Sequence, residues 1–336
     1  MRSIQSMLTN GFYLFVLLSL GLIHPQIGHA QVNQTDVDDF VRQSAYQQKR
    51  PLTEVDDIIS QAKFLPEVIE KMTRPAEKTM TWERYRKIFM TPERINAGVE
   101  FWEKNEVALS KVSTETGVSV EAIIGIIGVE TYFGQRMGTY RVLDALYTLA
   151  FGYARRSSFF KAELRKFLEL CEKEGLDPLV IKGSYAGAIG FGQFMPSSYL
   201  AYAKSYDLET GADLVNQVED GITSVANYLK VHRWNTGGLV AVQATKNNHS
   251  EDLSKQSIKP SNTISYYTQK GYEPVKPVDP TELVSLQVME MDDGSQEYWV
   301  TFKNFYVITR YNHSSLYALA VFQLGEAVKL ARQTGE

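Results

Sequence analysis

The chain has 336 residues, 44% of them hydrophobic and 12% aromatic, an ordinary globular composition long enough for one large domain or two smaller ones. Its 35 basic and 39 acidic residues give a net charge of −4, which argues against a sequence-independent binder of nucleic acid or another polyanion. The one cysteine, Cys171, excludes a disulfide framework.

Residues 1–30 read as a secretory signal peptide: Arg2 is a weak positive start, residues 12–23 are apolar, and Gly28-His29-Ala30 is a small-x-small cleavage site before Gln31. The apolar stretch is short for a membrane-spanning helix, and an uncleaved anchor reaching to Ala30 is the alternative to cleavage. A soluble periplasmic protein is expected, with no cysteine directly after the cleavage site to carry a lipid.

Residues 31–90 form a polar, helix-prone region with runs at 37–47 and 55–72, punctuated by Pro51 and Pro75. Residues 91–240 are the core region. In it Ile95, Val99, Trp102, Leu109 and Val112 mark one face of a long helix over 92–117 that stops at Gly117. Ser119 is the N-cap of the next helix, whose Val120, Ile123, Ile124 and Ile127 share one face with Glu130. Helices over 139–153 and 159–174 follow, joined by a turn holding Arg155 and Arg156. A glycine-rich loop spans 183–192, Ser197 and Ser198 offer caps for a further helix, and helical pattern returns at 218–234. Residues 241–310 read as a polar loop over 244–262 and then strands at 283–291 and 296–302 flanking the hairpin signal Asp292-Asp293-Gly294-Ser295. A third strand is expected at 305–310. Residues 311–336 close the chain with a helix over 314–332 that packs back on the core. The fold class is mainly α (α+β), with a small antiparallel sheet late in the chain.

Glu130 stands out because GIIGVETYFG, residues 125–134, holds a single carboxylate in an apolar run. Burying an ionised carboxylate without a partner is unfavourable enough that the group tends to neutralise, and a neutral carboxylic acid near neutral pH is a proton donor. The alternative is a frayed helix end, with Glu130 exposed or paired with Arg136 or Arg141.

Other chemistries lack their residues. His232, His249 and His313 show no close ligand spacing, no GxSxG precedes a helix, and Cys171 lies in a helical run that suits a core residue better than a nucleophile. The glycine loop has no following Gly-Lys-Ser/Thr; it suits either close approach of backbone to a bulky ligand, with Gln193 ready to hydrogen-bond it, or a tight interhelical turn that Gln193 caps. Asp207, Glu209 and Asp213 resemble a degenerate calcium loop that lacks the glycine and glutamate the pattern needs, so no cofactor is expected, with calcium at this loop the alternative.

Four runs together resemble the lytic murein transglycosylase B family, peptidoglycan-cleaving enzymes of the bacterial periplasm. They are GIIGVETYFG at 125–134, KGSYAGAIGFGQFMPSSY at 182–199, SVANYL at 224–229 and ITRYNHSSLYALAV at 308–321. The resemblance implies a lysozyme-like catalytic core over 91–240, an added helical region and a groove for peptidoglycan glycan strands. It matches Glu130 to the catalytic glutamate, and Ser184, Gln193, Tyr228, Asn312, Tyr317, Arg155, Arg156 and Tyr85 to groove positions. The chain departs from the family at the calcium loop, which is shorter here.

The resemblance further implies a lyase that needs no second carboxylate. Glu130 donates a proton to the bond between N-acetylmuramic acid and N-acetylglucosamine, then takes one from the muramyl 6-hydroxyl, which closes a 1,6-anhydro ring. Two rivals remain at this point: a hydrolytic muramidase, for which Asp144 and Glu163 are poorly placed second carboxylates, and a non-catalytic peptidoglycan-binding scaffold. The protein is expected to act as a monomer, with other periplasmic cell-wall enzymes as partners.

Overall fold

The computed structural model describes residues 32–73, 80–207, 211–253 and 256–335, so the leader read at residues 1–30 lies outside the described residues. Four short helices lead into the core: α1 (Gln34–Gln48), α2 (Leu52–Ile59), α3 (Pro66–Thr73) and α4 (Trp82–Phe89). The run at 55–72 is therefore two helices, with Pro66 opening the second.

The long helix expected over 92–117 is also two, α5 (Pro92–Lys104) and α6 (Glu106–Thr116). Asn105 breaks it: its side-chain amide donates to the Phe101 carbonyl at 2.8 Å, competing with the helical ladder. Gly117, at φ 73°, ends α6 in the left-handed conformation, and the chain turns by 118° into α7 (Val120–Thr131). The Ser119 hydroxyl caps α7 by accepting from the Ala122 amide at 3.4 Å.

The sequence marks one apolar face on α7, but Ile123, Ile124, Ile126 and Ile127 are all fully buried, so the helix is enclosed on every side. Each such side chain contributes about 1.5–3 kcal/mol of burial, which anchors the residues just before Glu130. The main partner of α7 is the final helix. Between them the chain forms β1 (Tyr140–Arg141), α8 (Val142–Gly152), α9 (Ser157–Glu174), β2 (Lys182–Gly183), α10 (Pro196–Tyr202) and α11 (Val218–Val231). The small sheet follows, as β3 (Ala241–Lys246), β4 (Asn262–Thr263), β5 (Tyr272–Pro274), β6 (Leu283–Glu290) and β7 (Gln296–Thr301), with α12 (Ile264–Gln269) between β4 and β5. Helices α13 (Lys303–Tyr311) and α14 (Ser315–Thr334) complete the chain.

The sheet is antiparallel in the order β4-β6-β7-β3-β5, and β6 and β7 form the expected hairpin. Two expectations fail nearby. Residues 244–262 are not all loop, because β3 runs to Lys246 and pairs with both β7 and β5. Residues 305–310 are helix, with Asn304, Phe305 and Ile308 buried at helical spacing; their β-branched and aromatic composition suggests a strand that packing overrides.

Helix α14 packs back on α7 at very close range. A Cβ added to Gly125 of α7 would lie 2.2 Å from the Val321 carbonyl oxygen, and one added to Gly325 of α14 would lie 2.2 Å from that of Glu121. Backbone meets backbone at both points. This approach fixes the end of α7, and Glu130 with it, against the start of α14.

Candidate active site

Glu130 lies in the last turn of α7 and is half-buried. The helix stops abruptly behind it, because Tyr132, Phe133 and Gly134 all take left-handed φ values, of 52°, 57° and 86°. Left-handed backbone is uncommon for residues with a Cβ and needs outside support. The Tyr132 amide donates to the Gly128 carbonyl at 3.2 Å, and Phe133 to that of Ile127 at 3.3 Å. The buried Thr131 hydroxyl donates to the Phe191 carbonyl at 2.9 Å and accepts from the Gly134 amide at 3.0 Å, tying α7 to the glycine loop. From outside, the buried Arg94 guanidinium donates to the Gly128 carbonyl at 3.2 Å and lies 4.6 Å from the Tyr132 ring.

Tyr317, in the first turn of α14, donates its hydroxyl to Glu130 Oε1 at 2.6 Å. Burial, then the nearby charge of Glu130, holds that phenol well above its ordinary titration range, so Tyr317 stays a proton-bearing donor at any working pH. Tyr311 is held up in the same way, by burial first and Glu130 second, and its hydroxyl donates to the Gly192 carbonyl at 2.5 Å. Where the sequence left a pairing of Glu130 with Arg136 or Arg141 open, the structure shows this tyrosine bound to it. Arg136 lies over the Tyr132 ring, and Arg141 is bound to Asp144.

The other residues singled out from sequence fall into three groups. Tyr85 of α4 is buried and also raises the Tyr317 phenol, so it belongs to the tyrosine group around Glu130. Tyr228 joins that group from behind: its ring lies 4.7 Å from that of Tyr311 and stacks on His232 at 4.1 Å, while its hydroxyl donates to the Arg310 carbonyl. Burial pushes its phenol up to about 12.

Ser184 and Gln193 shape the glycine loop. The Ser184 hydroxyl accepts from the Ala188 amide at 3.1 Å, and the Gln193 amide donates to the Met137 and Gly190 carbonyls at 3.1 and 3.0 Å. Asn312 ends α13 in extended backbone just before Tyr317's helix begins. Arg155 and Arg156 are exposed in the turn before α9, with Arg156 4.2 Å from the Phe159 ring.

Tyr311 and Thr131 were not singled out from the sequence, although both sit inside runs that were, and nothing local separates Tyr311 from the other tyrosines. Among the described residues, the two rival carboxylates have structural work. Asp144 accepts from Arg141 and from the Lys63 amide at 2.8 Å. Glu163 accepts from the Ser197 amide at 3.0 Å and hydroxyl at 2.6 Å, so the N-terminus of α10 is capped by a carboxylate from α9 and not by its own serines.

The described calcium-loop candidates are engaged in hydrogen bonds with their own segment. Asp213 accepts from the Val215 and Asn216 amides, Asp207 from the Ser205 hydroxyl, and Asp220 gathers the loop by accepting from the Tyr206 and Asp213 amides. Among the described residues no group of three metal-ligating side chains comes together. Glu209 lies outside the described residues.

Cys171 is buried, and burial pushes its thiol up to about 12. The thiolate, the reactive form, is thereby disfavoured at ordinary pH. A thiol-alkylating reagent should label Cys171 only after denaturation, which intact-protein mass spectrometry reads; rapid labelling of the native protein would contradict its place in the core.

The transglycosylase SLT domain model matches residues 32–326. The membrane-bound lytic murein transglycosylase B of Escherichia coli K12 is 42% identical over 316 residues, covering 91% of this chain and 86% of that protein. The E. coli lytic transglycosylase Slt35 in complex with bulgecin A superposes with a TM-score of 0.82 at 40% identity, covering 93% of this chain and 100% of the other. SltB3 of Pseudomonas aeruginosa, crystallised with NAG-anhNAM-pentapeptide, gives a TM-score of 0.75 at 25% identity over 88% of this chain and 79% of the other.

Proposed function

The chain belongs to the transglycosylase SLT-domain family and is a peptidoglycan lytic transglycosylase, and from that premise we propose that Glu130 alone serves as its acid and then its base. The observation that carries this reading is the 2.6 Å bond from Tyr317 to Glu130 Oε1, at a site where Asp144 and Glu163 are committed elsewhere.

With Oε1 accepting from Tyr317, the proton of neutral Glu130 sits on Oε2. A glycan strand laid over the half-buried carboxyl removes its remaining water, which favours the neutral acid. Glu130 then protonates the glycosidic oxygen between N-acetylmuramic acid and N-acetylglucosamine as that bond breaks. The carboxylate so formed, stabilised by the Tyr317 hydroxyl, takes the proton of the muramyl 6-hydroxyl as that oxygen bonds to C1. The proton count closes on Glu130, and the product carries a 1,6-anhydromuramyl end. High effective molarity of an intramolecular hydroxyl favours it over water.

Ser184, Gln193, Tyr228, Asn312 and Tyr85 are assigned to the glycan groove, and Arg155 and Arg156 to carboxylates of the lactyl and peptide substituents. The apolar leader supports action in the periplasm. That a relative was crystallised with an anhydro-muramyl pentapeptide supports the product assignment.

The test is the mass of muropeptides released from purified peptidoglycan. Anhydro ends, about 18 Da below reducing ends through loss of one water, are expected; reducing ends would make the protein a muramidase. Tyr317→Phe keeps the ring and loses one hydrogen bond to a charged group. It should lower turnover about tenfold to a hundredfold with no loss of fold, and unchanged turnover would remove Tyr317 from the mechanism.

A further inference from the structure

The hairpin of β6 and β7 reaches across to the first turn of α4 and grips it at successive residues. The Thr81 hydroxyl, which makes no cap bond to its own helix, donates to Asp292 Oδ1. The Asp292 amide donates to Glu83 Oε2 at 3.3 Å, and Arg84 Nε lies 3.0 Å from the Asp292 carboxylate. The fully buried Trp82 donates its indole N–H to Glu297 Oε2 at 3.1 Å, and Trp299 donates to that same oxygen at 3.1 Å. The next residue along α4 is Tyr85.

An eight-residue helix has little stability of its own, so its position is set by what holds it. The two carboxylates hold it unequally. Asp292 is exposed and its ion pair with Arg84 is open to solvent, whereas Glu297 is half-buried and accepts from two buried indoles. We propose that this hairpin is a clasp that sets Tyr85 against the acid, with Glu297 as the principal positioning residue and Asp292 as its accessory. The inference rests on the reading of Glu130 and Tyr85 given above. It assigns the sheet, which supplies no group to the chemistry, a part in catalysis through α4.

The test is a double-mutant cycle on peptidoglycan turnover with Glu297→Gln, Tyr85→Ala and the pair, each checked for thermal stability. Glu297→Gln keeps an acceptor but weakens it toward two indoles. It should slow turnover on the order of tenfold in the Tyr85 protein, since small misplacements of a positioned group have effects of that size or larger. In the Tyr85→Ala background the same change should have no further effect. Equal slowing in both backgrounds, or none in either, overturns the clasp. If Glu297→Gln does not fold, Asp292→Asn at the exposed tip takes its place in the cycle, with a smaller effect expected to vanish in the same way. Full turnover by Tyr85→Ala alone overturns the clasp while leaving the acid intact, and full turnover by Glu130→Gln is the separate failure of the underlying reading.

Discussion

Replacing Glu130 by glutamine yields a folded protein that still binds peptidoglycan and turns it over roughly a hundredfold to ten-thousandfold more slowly, the range for loss of a positioned acid–base group. The substitution is close to isosteric. The carbonyl oxygen of the introduced amide can still accept from the Tyr317 hydroxyl, so the α7 to α14 contact survives. What disappears is the proton that Oε2 would deliver and the carboxylate that would take one back. A second carboxylate could soften the loss by activating water, but Asp144 is held by Arg141 and the Lys63 amide, and Glu163 by Ser197. Release of soluble muropeptides from sedimented peptidoglycan measures the rate, and co-sedimentation measures binding. Wild-type turnover by the variant removes Glu130 as the acid. Loss of binding and turnover together gives it a structural part instead.

The largest effect on stability is expected at Gly125. In an exposed helix, Gly→Ala would gain about 1 kcal/mol from helix propensity. Here the added methyl would stand 2.2 Å from the Val321 carbonyl oxygen, a backbone atom that cannot swing away as a side-chain tip could. The helices must separate, and overpacking of this kind costs about 1–3 kcal/mol, occasionally more. The steric term exceeds the propensity gain, so Gly125→Ala should lower the melting temperature, and Gly325→Ala, facing the Glu121 carbonyl at the same distance, should do likewise. Calorimetry decides it, and an unchanged or raised melting temperature would show that α7 and α14 are not packed backbone to backbone. Because Glu130 is on one of these helices and Tyr317 on the other, the variants should also lose turnover beyond what their unfolded fraction explains.

What was legible in the sequence follows from local physics. Ser119 caps α7 as its side chain suggests, Gly117 stops α6, and Asp292-Asp293-Gly294-Ser295 turns the hairpin, because each depends on a few adjacent residues. The break at Asn105 was hidden because apolar spacing continues across it and a side-chain amide decides the matter. Residues 305–310 were misread because Phe305, Tyr306, Val307 and Ile308 favour strands on composition, while packing against the core selects a helix. In the site, Glu130 was legible as a carboxylate in an apolar stripe. Tyr317 entered only as a groove position implied by the resemblance, and its bond to Glu130 was not legible, since 187 residues separate them and only the packing of α14 on α7 joins them. Glu163 shows the same limit: that it caps α10, 34 residues on, is a tertiary fact.

The measurement that tests the central claim most directly is digestion of peptidoglycan in water enriched in the heavy oxygen isotope, followed by mass spectrometry of the muramyl ends. If Glu130 passes its proton between two oxygens of the substrate, the C1 position is closed by the substrate's own hydroxyl and the products carry no label. Heavy oxygen at C1 in the initial products would show that water is the nucleophile and would contradict the single-glutamate account.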